Sequence, residues 1–328
     1  QRLAFTIDLL GEAVVSETEA EQHQQTYLNL VSGLANRLAG EPVIAQIEQS
    51  LDGPVPRINV SVKLSSLFSQ FDPIAPENTS RRVRDRLRPI MRLAKQHGVL
   101  INLDMEQHAF KDTTLRIFKD ILSEDEFRNW SDAGIAIQAY LKCCLDDLTD
   151  LAAWARQRGT PVHVRLVKGA YWDYETVIAA QNDWPAPVWT HKPNTDANFE
   201  RCSEFLMQNS DALRPAIASH NVRSIAAALE QAERYRVPKG RYEFQMLYGM
   251  ADPIKQTLLD LGHRVRVYTP YGQLLPGMAY LVRRLLENTS NESFLRAGFV
   301  DNIPEEKLLM NPAMNGSGEG SGFRGQAS

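Results

Sequence analysis

The chain has 328 residues, with 36 lysines and arginines against 40 aspartates and glutamates, and a formal net charge of −4. This balance excludes the strongly basic surface that nucleic-acid binding requires, and no apolar run reaches the roughly 18 residues needed to span a bilayer. Hydrophobic residues make up 43% of the chain, which is enough for a substantial core. Cys143, Cys144 and Cys202 lack metal-ligand spacing and predict reduced, buried thiols.

Eight short segments rich in β-branched residues alternate with helical patterns along the chain. This alternation predicts a parallel sheet, and eight units in about 290 residues favour a (β/α)8 barrel over the alternative, a doubly wound open sheet. The predicted strands are AFTIDLL (4–10), RINVSVKLS (57–65), LINLDME (100–106), GIAIQAY (134–140), VHVRLVKG (162–169), PAIASHN (215–221), YEFQML (242–247) and RVRVYTPYG (264–272).

Helical patterns with start and stop signals lie between these strands. One helix is predicted to begin at Ser80 and end at Gly98, and another to end at Gly159. Two further helices are predicted before the second strand, over 18–38 and 42–51, which is more than one crossover needs.

The last predicted helix, AYLVRRLLENT (279–289), has a charged stripe opposite an apolar face. Tyr280, Arg283, Arg284 and Glu287 share the stripe because a helix turns about 100° per residue. An ion pair between Arg283 and Glu287 on a solvated face is one explanation. It is a poor one, because the base precedes the acid, which is the less favourable order on a helix.

Alternate positions of the strands differ sharply in polarity. Because neighbouring side chains of a strand point to opposite faces, the apolar set is expected to face the helices and the polar set to face the barrel lumen. Unpaired buried polar groups cost on the order of 1–3 kcal/mol each, so cross-lumen ion pairs and a large bound cofactor are expected to satisfy them. The polar set is Thr6, Asp8, Asn59, Ser61, Lys63, Asn102, Asp104, Gln138, Tyr140, His163, Arg165, His220, Gln245, Arg266 and Tyr268.

Short motifs leave several chemistries open. The usual phosphate-binding signatures are absent, and Asp104, Glu106, His108 and His220 lack a compact metal-ligand pattern, so no metal is predicted. Lys63 and Lys168 lie at strand ends, where a barrel aldolase or lyase places a Schiff-base lysine. A barrel that only binds a ligand is the third alternative.

Seven segments closely resemble one family, the proline dehydrogenase domain of the bacterial bifunctional flavoenzymes called proline utilization A. They are VSVKLS, INLDME, IQAY, VRLVKGAYWD, ASHN, EFQMLYGM and YLVRRLLEN, and the resemblance runs from about Phe5 to Phe294. It implies a distorted (β/α)8 barrel that binds FAD, with the last helix over the barrel mouth. We assign residues 1–312 to this domain and the Gly/Ser-rich residues 313–328 to a flexible linker.

The resemblance also implies an activity. Family members oxidise L-proline to 1-pyrroline-5-carboxylate by hydride transfer from C5 to flavin N5, the first step of proline catabolism, and pass the electrons to a quinone. It further implies a cytoplasmic parent enzyme at the inner face of the bacterial membrane, with a separate aldehyde dehydrogenase domain that this chain lacks. The chain begins at Gln1 without an initiator methionine, so we expect an excised fragment.

Site residues follow from the same resemblance. Arg283 and Arg284 are expected to bind the proline carboxylate, and Glu12 to pair with the first arginine and gate the pocket. The other expected substrate contacts are Tyr268, Tyr280, Leu247, Lys63, Asp104 and Ala170. The expected catalytic residues are Arg165, Lys63, Asp104 and Tyr268.

The expected FAD contacts form a larger set. Arg165 is placed beside flavin N5 and Gln138 at the isoalloxazine edge, while others follow the phosphates and the adenosine. The full set is Asp104, Gln138, Arg165, Val167, Lys168, Gly169, Ala170, Tyr171, Trp172, Thr190, Lys192, Thr195, Ser219, His220, Asn221, Gln245, Leu247, Tyr268, Glu287 and Phe294.

Overall fold

The chain folds into a closed barrel of eight parallel strands, whose order around the barrel is 4–9, 265–271, 243–247, 213–218, 162–167, 133–138, 100–103 and 59–62. The structure, a computed structural model, describes residues 2–11, 13–50, 53–272, 277–289 and 308–314. All eight predicted strands are confirmed, and the open-sheet alternative is wrong. The barrel strands are β1 (Ala4–Leu9), β4 (Asn59–Val62), β5 (Leu100–Leu103), β6 (Ala133–Gln138), β7 (Val162–Val167), β8 (Leu213–Ala218), β9 (Glu243–Leu247) and β10 (Val265–Tyr271); β2 (Gln49–Ser50) and β3 (Gly53–Pro54) form a separate hairpin.

Helices separate the successive barrel strands, as a parallel sheet requires. Their bounds are α1 (Glu17–Leu38), α2 (Ala45–Glu48), α3 (Pro76–His97), α4 (His108–Leu122), α5 (Cys144–Arg158), α6 (Trp172–Gln181), α7 (Lys192–Gln208), α8 (Val222–Arg234), α9 (Asp252–Asp260) and α10 (Met278–Thr289). A short 3₁₀ helix, Pro312–Met314, contacts α7 at the predicted domain boundary.

The predicted start of α3 is wrong, whereas its predicted end is confirmed. The helix begins at Pro76, four residues before Ser80, because the fixed φ of proline suits the first helical position and its missing N–H has no partner there in any helix. Ser80 is buried one turn inside and donates to Asp120 Oδ2 at 3.1 Å. Gly98 ends the helix with a left-handed φ of 62°.

The predicted helix over 42–51 is also wrong for most of its length. Only Ala45–Glu48 is helical, and the chain then turns into the β2–β3 hairpin. Arg264, which directly precedes β10, donates to the carbonyl oxygens of Ile47 at 3.0 Å and Gln49 at 2.7 Å. The buried guanidinium thus holds this insert against the N-terminal end of the barrel.

The hydrophobic core lies between the barrel and the helices. Val60, Val62 and Val164, all from the apolar set, are fully buried there. Thr6, Ser61 and Arg165 of the polar set are buried in the lumen, as predicted, whereas Tyr140 packs with Leu141 and Val188 in a separate cluster. Cys144 and Cys202 are buried free thiols whose sulfurs lie 3.4 Å apart, but Cys143 is only half-buried.

The last helix, α10, lies over the C-terminal mouth of the barrel. The Arg283 guanidinium carbon is 5.0 Å from the centre of the ring of Tyr171. Tyr171 directly precedes α6. Arg284 lies near enough to His220, beyond the end of β8, to lower the pKa of its imidazole. Arg283 and Arg284 therefore face the barrel, whereas Leu285, on the opposite side of the helix, is 63% exposed.

Candidate active site

Asp104 contacts the other three predicted catalytic residues, and together the four form one network at the C-terminal end of the lumen. Asp104 directly follows β5, and Lys63 directly follows β4. Oδ1 of Asp104 accepts from Arg165 Nη1 at 2.6 Å, while Oδ2 accepts from the Tyr268 hydroxyl at 2.8 Å and from Lys63 Nζ at 3.3 Å. Lys63 also binds Asp8 Oδ1. The predicted cross-lumen ion pairs therefore satisfy part of the polar set.

The charges of this network stabilise one another. Burial acts to raise the pKa of Asp104, but the Lys63 and Arg165 cations outweigh it and lower that pKa. Burial acts to lower the pKa of Lys63, but Tyr268, Asp8 and Asp104 raise it well above its ordinary value. Lys63 is therefore an ammonium group at neutral pH, which disfavours the neutral amine that a Schiff-base mechanism needs.

Arg165 is held by three side chains and keeps one nitrogen uncommitted. Its Nε donates to Gln245 Oε1 at 2.7 Å, and its Nη1 donates to Ser61 Oγ at 2.9 Å as well as to Asp104. The guanidinium carbon lies 5.0 Å from the centre of the Tyr268 ring. Within the described part of the chain, the buried Nη2 has no hydrogen-bond partner.

Gln138, the last residue of β6, also has one buried atom that makes no hydrogen bond within the described residues, and in this case the atom is an acceptor. Its Nε2 donates to the Glu106 carbonyl oxygen at 3.1 Å, whereas its buried Oε1 has no hydrogen-bond partner among the residues described. A buried donor on Arg165 and a buried acceptor on Gln138 match the edge of an isoalloxazine, which carries acceptor atoms and an N–H donor. The residues present therefore fit the flavin that the resemblance implies.

Two lysines contact the same carboxylate in the first turns of α7. Lys168 and Lys192 both contact the Asp196 carboxylate, Lys168 through Oδ1 and Lys192 through Oδ2 at 2.8 Å. Burial lowers the pKa of Lys168 despite the neighbouring carboxylate. Thr195 is buried in the first turn of α7, beside the same carboxylate. This cationic cluster is suited to a phosphate group.

Gly169 is required by its surroundings. Its φ is +135°, and a Cβ at this position would lie 2.5 Å from the Tyr140 ring. The backbone therefore approaches the ring more closely than any residue with a side chain permits. Val167, Ala170 and Tyr171 belong to the same segment, at the C-terminal end of β7.

His220 is held as one neutral tautomer. Its Nε2 accepts from the Leu247 backbone N–H at 2.9 Å, so the ring proton is assigned to Nδ1. Burial, assisted by the charges of Arg284 and Lys255, lowers the pKa of His220 to about 4. The neighbouring Asn221 caps α8, and its side-chain oxygen accepts from two backbone N–H groups.

The remaining predicted residues lie around the rim. Ser219 accepts from the Asn221 N–H at 3.1 Å, and Trp172 donates to the Trp189 carbonyl oxygen at 2.8 Å. Arg284 lies 5.4 Å from the centre of the Tyr280 ring, on the helix over the mouth. Ala170 and Thr190 are exposed. Glu12, Phe294 and the side chain of Glu287 lie outside the part of the chain that the structure describes.

Asp8, which binds Lys63, and three further acidic residues near the site are absent from the predicted site residues. Glu243 binds Gln245 and Arg266, Asp196 binds two lysines, and Glu106 accepts from Ser65 Oγ at 2.5 Å. Two of them carried a usable signal: Glu243 shares the strand face of Gln245, and Asp196 lies four residues after Lys192. No local pattern marks Glu106.

The described residues offer neither a cluster of metal ligands nor a membrane-spanning helix. Within the described ranges, no group of three or more His, Cys, Asp or Glu side chains could hold a metal ion. Nor does any described helix combine the length and the apolar character needed to cross a bilayer.

Comparison with known proteins identifies the family. The sequence model of the proline dehydrogenase family matches residues 1–297. The bifunctional protein PutA of Klebsiella aerogenes is 31% identical over 318 residues, which cover 94% of this chain and 23% of that protein. Proline dehydrogenase 1 of Bacillus subtilis (strain 168) is 29% identical over 298 residues, which cover 91% of this chain and 82% of that protein.

A solved structure shows the same fold. The crystal structure of proline utilization A from Bdellovibrio bacteriovorus, inactivated by N-propargylglycine, is 50% identical with a TM-score of 0.94 over 96% of this chain and 33% of that one. The chain thus spans about a quarter to a third of the PutA proteins that it matches. By sequence and by fold, it belongs to the proline dehydrogenase family.

Proposed function

We propose that this chain binds FAD and oxidises L-proline to 1-pyrroline-5-carboxylate, the first step of proline catabolism. The observation that carries the proposal is the pair of uncommitted buried atoms, Arg165 Nη2 and Gln138 Oε1, near the C-terminal strand ends. Two arginines of α10 lie over the same mouth. A planar redox cofactor below a carboxylate-binding pair accounts for both features.

The residues of this chain hold the cofactor. FAD, when bound, supplies the chemistry by accepting at flavin N5 the hydride from proline C5. Arg165 Nη2 is fixed before the reaction, so it stabilises arriving electron density without reorganisation. Gln138 binds the isoalloxazine edge, and Lys168 and Lys192 bind the phosphates.

Other residues hold the substrate. Arg283 and Arg284 present planar paired donors that match a carboxylate, and such charge-assisted bonds contribute about 1.5–3 kcal/mol each where water is excluded. Tyr268, Tyr280 and Leu247 pack against the proline ring. The orientation of C5 towards the flavin is the main task of the protein.

The electron acceptor and the cellular context are part of the same proposal. We assign a quinone as the acceptor and a cytoplasmic parent protein at the inner face of the membrane, as in the family that the sequence resembles. In a parent of the PutA type, a separate aldehyde dehydrogenase domain oxidises the product. The 50% identity with proline utilization A of Bdellovibrio bacteriovorus supports such a parent.

One visible absorption spectrum tests the function. The purified protein should be yellow, and anaerobic addition of L-proline should bleach the flavin bands, whereas D-proline at the same concentration should not. A colourless protein would favour a barrel that only binds a ligand. Borohydride trapping of a substrate on Lys63 or Lys168 would favour the Schiff-base lyase.

A further inference from the structure

We propose that Asp8 receives, by way of Lys63, the proton that the substrate amine must lose before oxidation. The inference rests on the proposed oxidation of proline and deepens it. Asp8 does not belong to the predicted site residues, and it contacts the catalytic network through Lys63.

The reaction requires a proton acceptor. The ring nitrogen of free proline is protonated at neutral pH, and C5 can lose a hydride only when the nitrogen lone pair is available to form the C=N bond. One N–H bond of the substrate must therefore break first. Lys63 gives one of its ammonium protons to Asp8, and the nitrogen lone pair freed in this way takes the substrate proton, so Lys63 ends the step as an ammonium group again. The hydride leaves C5 for the flavin, so proline loses two electrons and atoms and charges balance.

Asp8 has the geometry for this step. It lies in β1 at 1% exposure, and its Oδ1 accepts from Lys63 Nζ. Its Oδ2 is buried and has no hydrogen-bond partner within the described ranges. Lys63 lies between Asp8 and the Asp104 carboxylate, 3.3 Å from Asp104 Oδ2, so it connects Asp8 with the catalytic network.

Asp104 is less suited to take the proton. Both of its oxygens are occupied by donors, Oδ1 by Arg165 and Oδ2 by Tyr268 and Lys63. Protonation of Asp104 would remove the negative charge that accepts three hydrogen bonds, two of them from cations, and would weaken all three. Protonation of Asp8 at Oδ2 weakens only the bond that its Oδ1 accepts from Lys63.

The electrostatic environment points the same way. Burial raises the pKa of Asp8 and the negative charge of Asp104 raises it further, while Lys63 and the Tyr268 hydroxyl oppose this without outweighing it. The pKa of Asp104 is lowered. Among the described residues, the titratable groups that face Asp8 are Lys63 after β4, Asp104 after β5, Tyr268 in β10 and Tyr27 in α1. Both tyrosines have raised pKa values and stay neutral. Of the two carboxylates, Asp8 is therefore protonated more easily than Asp104.

The test follows the proton and the flavin in one experiment. The FAD-loaded protein is mixed rapidly and anaerobically with L-proline in weakly buffered solution that contains a pH indicator. In the wild type, flavin bleaching should precede the appearance of the proton, because Asp8 holds it. In Asp8→Asn, the proton should appear no later than bleaching. Its kcat/KM at pH 7 should fall at least tenfold and recover as pH rises, because only the unprotonated amine then reacts.

Thr6→Val is the matched control. It removes a buried lumen hydrogen bond, from Thr6 Oγ1 to Asn59 Oδ1 at 2.6 Å, two residues before Asp8 on the same strand face. Its proton timing should match the wild type.

A wild-type proton that appears with or before bleaching overturns the proposal, even if Asp8→Asn loses its FAD. An Asp8→Asn defect that is equal at every pH, with unchanged timing, assigns Asp8 a structural role. Absence of proline-dependent bleaching in the wild type rejects the proposed function itself.

Discussion

Gln245 accepts a hydrogen bond from Arg165 Nε through its side-chain oxygen, at 2.7 Å. Its amide nitrogen donates to Glu243 Oε1, also at 2.7 Å, and Glu243 binds Arg266 through both carboxylate oxygens. Because an ionised carboxylate can only accept, Glu243 fixes which end of the amide faces Arg165. This chain of contacts sets the orientation in which Arg165 Nη2 remains uncommitted.

Replacement of Gln245 by leucine tests this relationship. The change leaves Arg165 Nε without its acceptor and removes one donor from Glu243, so we expect a loss of about 1–3 kcal/mol in the free energy of unfolding. The kcat for proline should also fall, since Arg165 is no longer held in one orientation. Urea unfolding and proline:dye kinetics measure the two effects.

Gln231→Leu provides the comparison for that variant. Gln231 is equally buried, but its side chain donates to the Glu200 carbonyl oxygen outside the lumen, at 3.0 Å. It should lose stability without a change in kcat. Equal kcat values in the two variants would contradict a role of Gln245 in positioning Arg165.

Arg284→Met tests the binding of the substrate carboxylate. Loss of one guanidinium should raise the proline KM at least tenfold, which corresponds to about 1.4 kcal/mol of binding free energy. Steady-state kinetics with an artificial dye measures the change. Arg92→Met, at a surface arginine paired with Glu126, should leave KM unaltered. Unchanged KM in Arg284→Met would remove the proposed carboxylate contact.

Gly169→Ala tests the close approach of backbone and ring. The new methyl group would overlap the Tyr140 ring, so we expect about 1–3 kcal/mol of destabilisation from overpacking, added to the cost of the positive φ, and a lower FAD content. Gly53→Ala isolates the backbone cost, because Gly53 has a similar φ of +119° and no described atom within 4 Å of the added Cβ. Thermal unfolding and bound flavin should be affected more at Gly169. Equal losses at both positions would argue against the overlap.

His220 makes stability depend on pH. Its pKa of about 4 in the folded protein lies below its ordinary value of 6.5, so the unfolded chain binds more protons between these two values. The contribution of His220 is present above pH 6.5 and is lost as pH falls. Between pH 7 and pH 5 the loss should be about 2 kcal/mol of unfolding free energy. His220→Gln should lose less than the wild type over this range in urea titrations, and an identical pH dependence would contradict the buried neutral imidazole.

The sequence by itself determined the strands and the polarity of the lumen. Both follow from patterns within a few residues: a strand repeats every two residues, so Val60 and Val62 point one way while Ser61 and Lys63 point the other. The stripe that carries Arg283 and Arg284 follows in the same manner from the helical repeat. The roles expected for most site residues, in contrast, were inferred from the resemblance to a family.

Only the tertiary structure decided the partners of those side chains. Lys63 contacts Asp8 and Asp104 because closure of the barrel brings three strands together whose residues are 55 and 41 positions apart. The same closure fixes the amide of Gln245 between Arg165 and Glu243, and it places α10 over the mouth. The carbonyl oxygen of Gln49 in β2 likewise accepts from Arg264, more than 200 positions along the chain. Local patterns report the direction of a side chain, whereas its partner depends on which distant segments the fold brings within hydrogen-bonding distance.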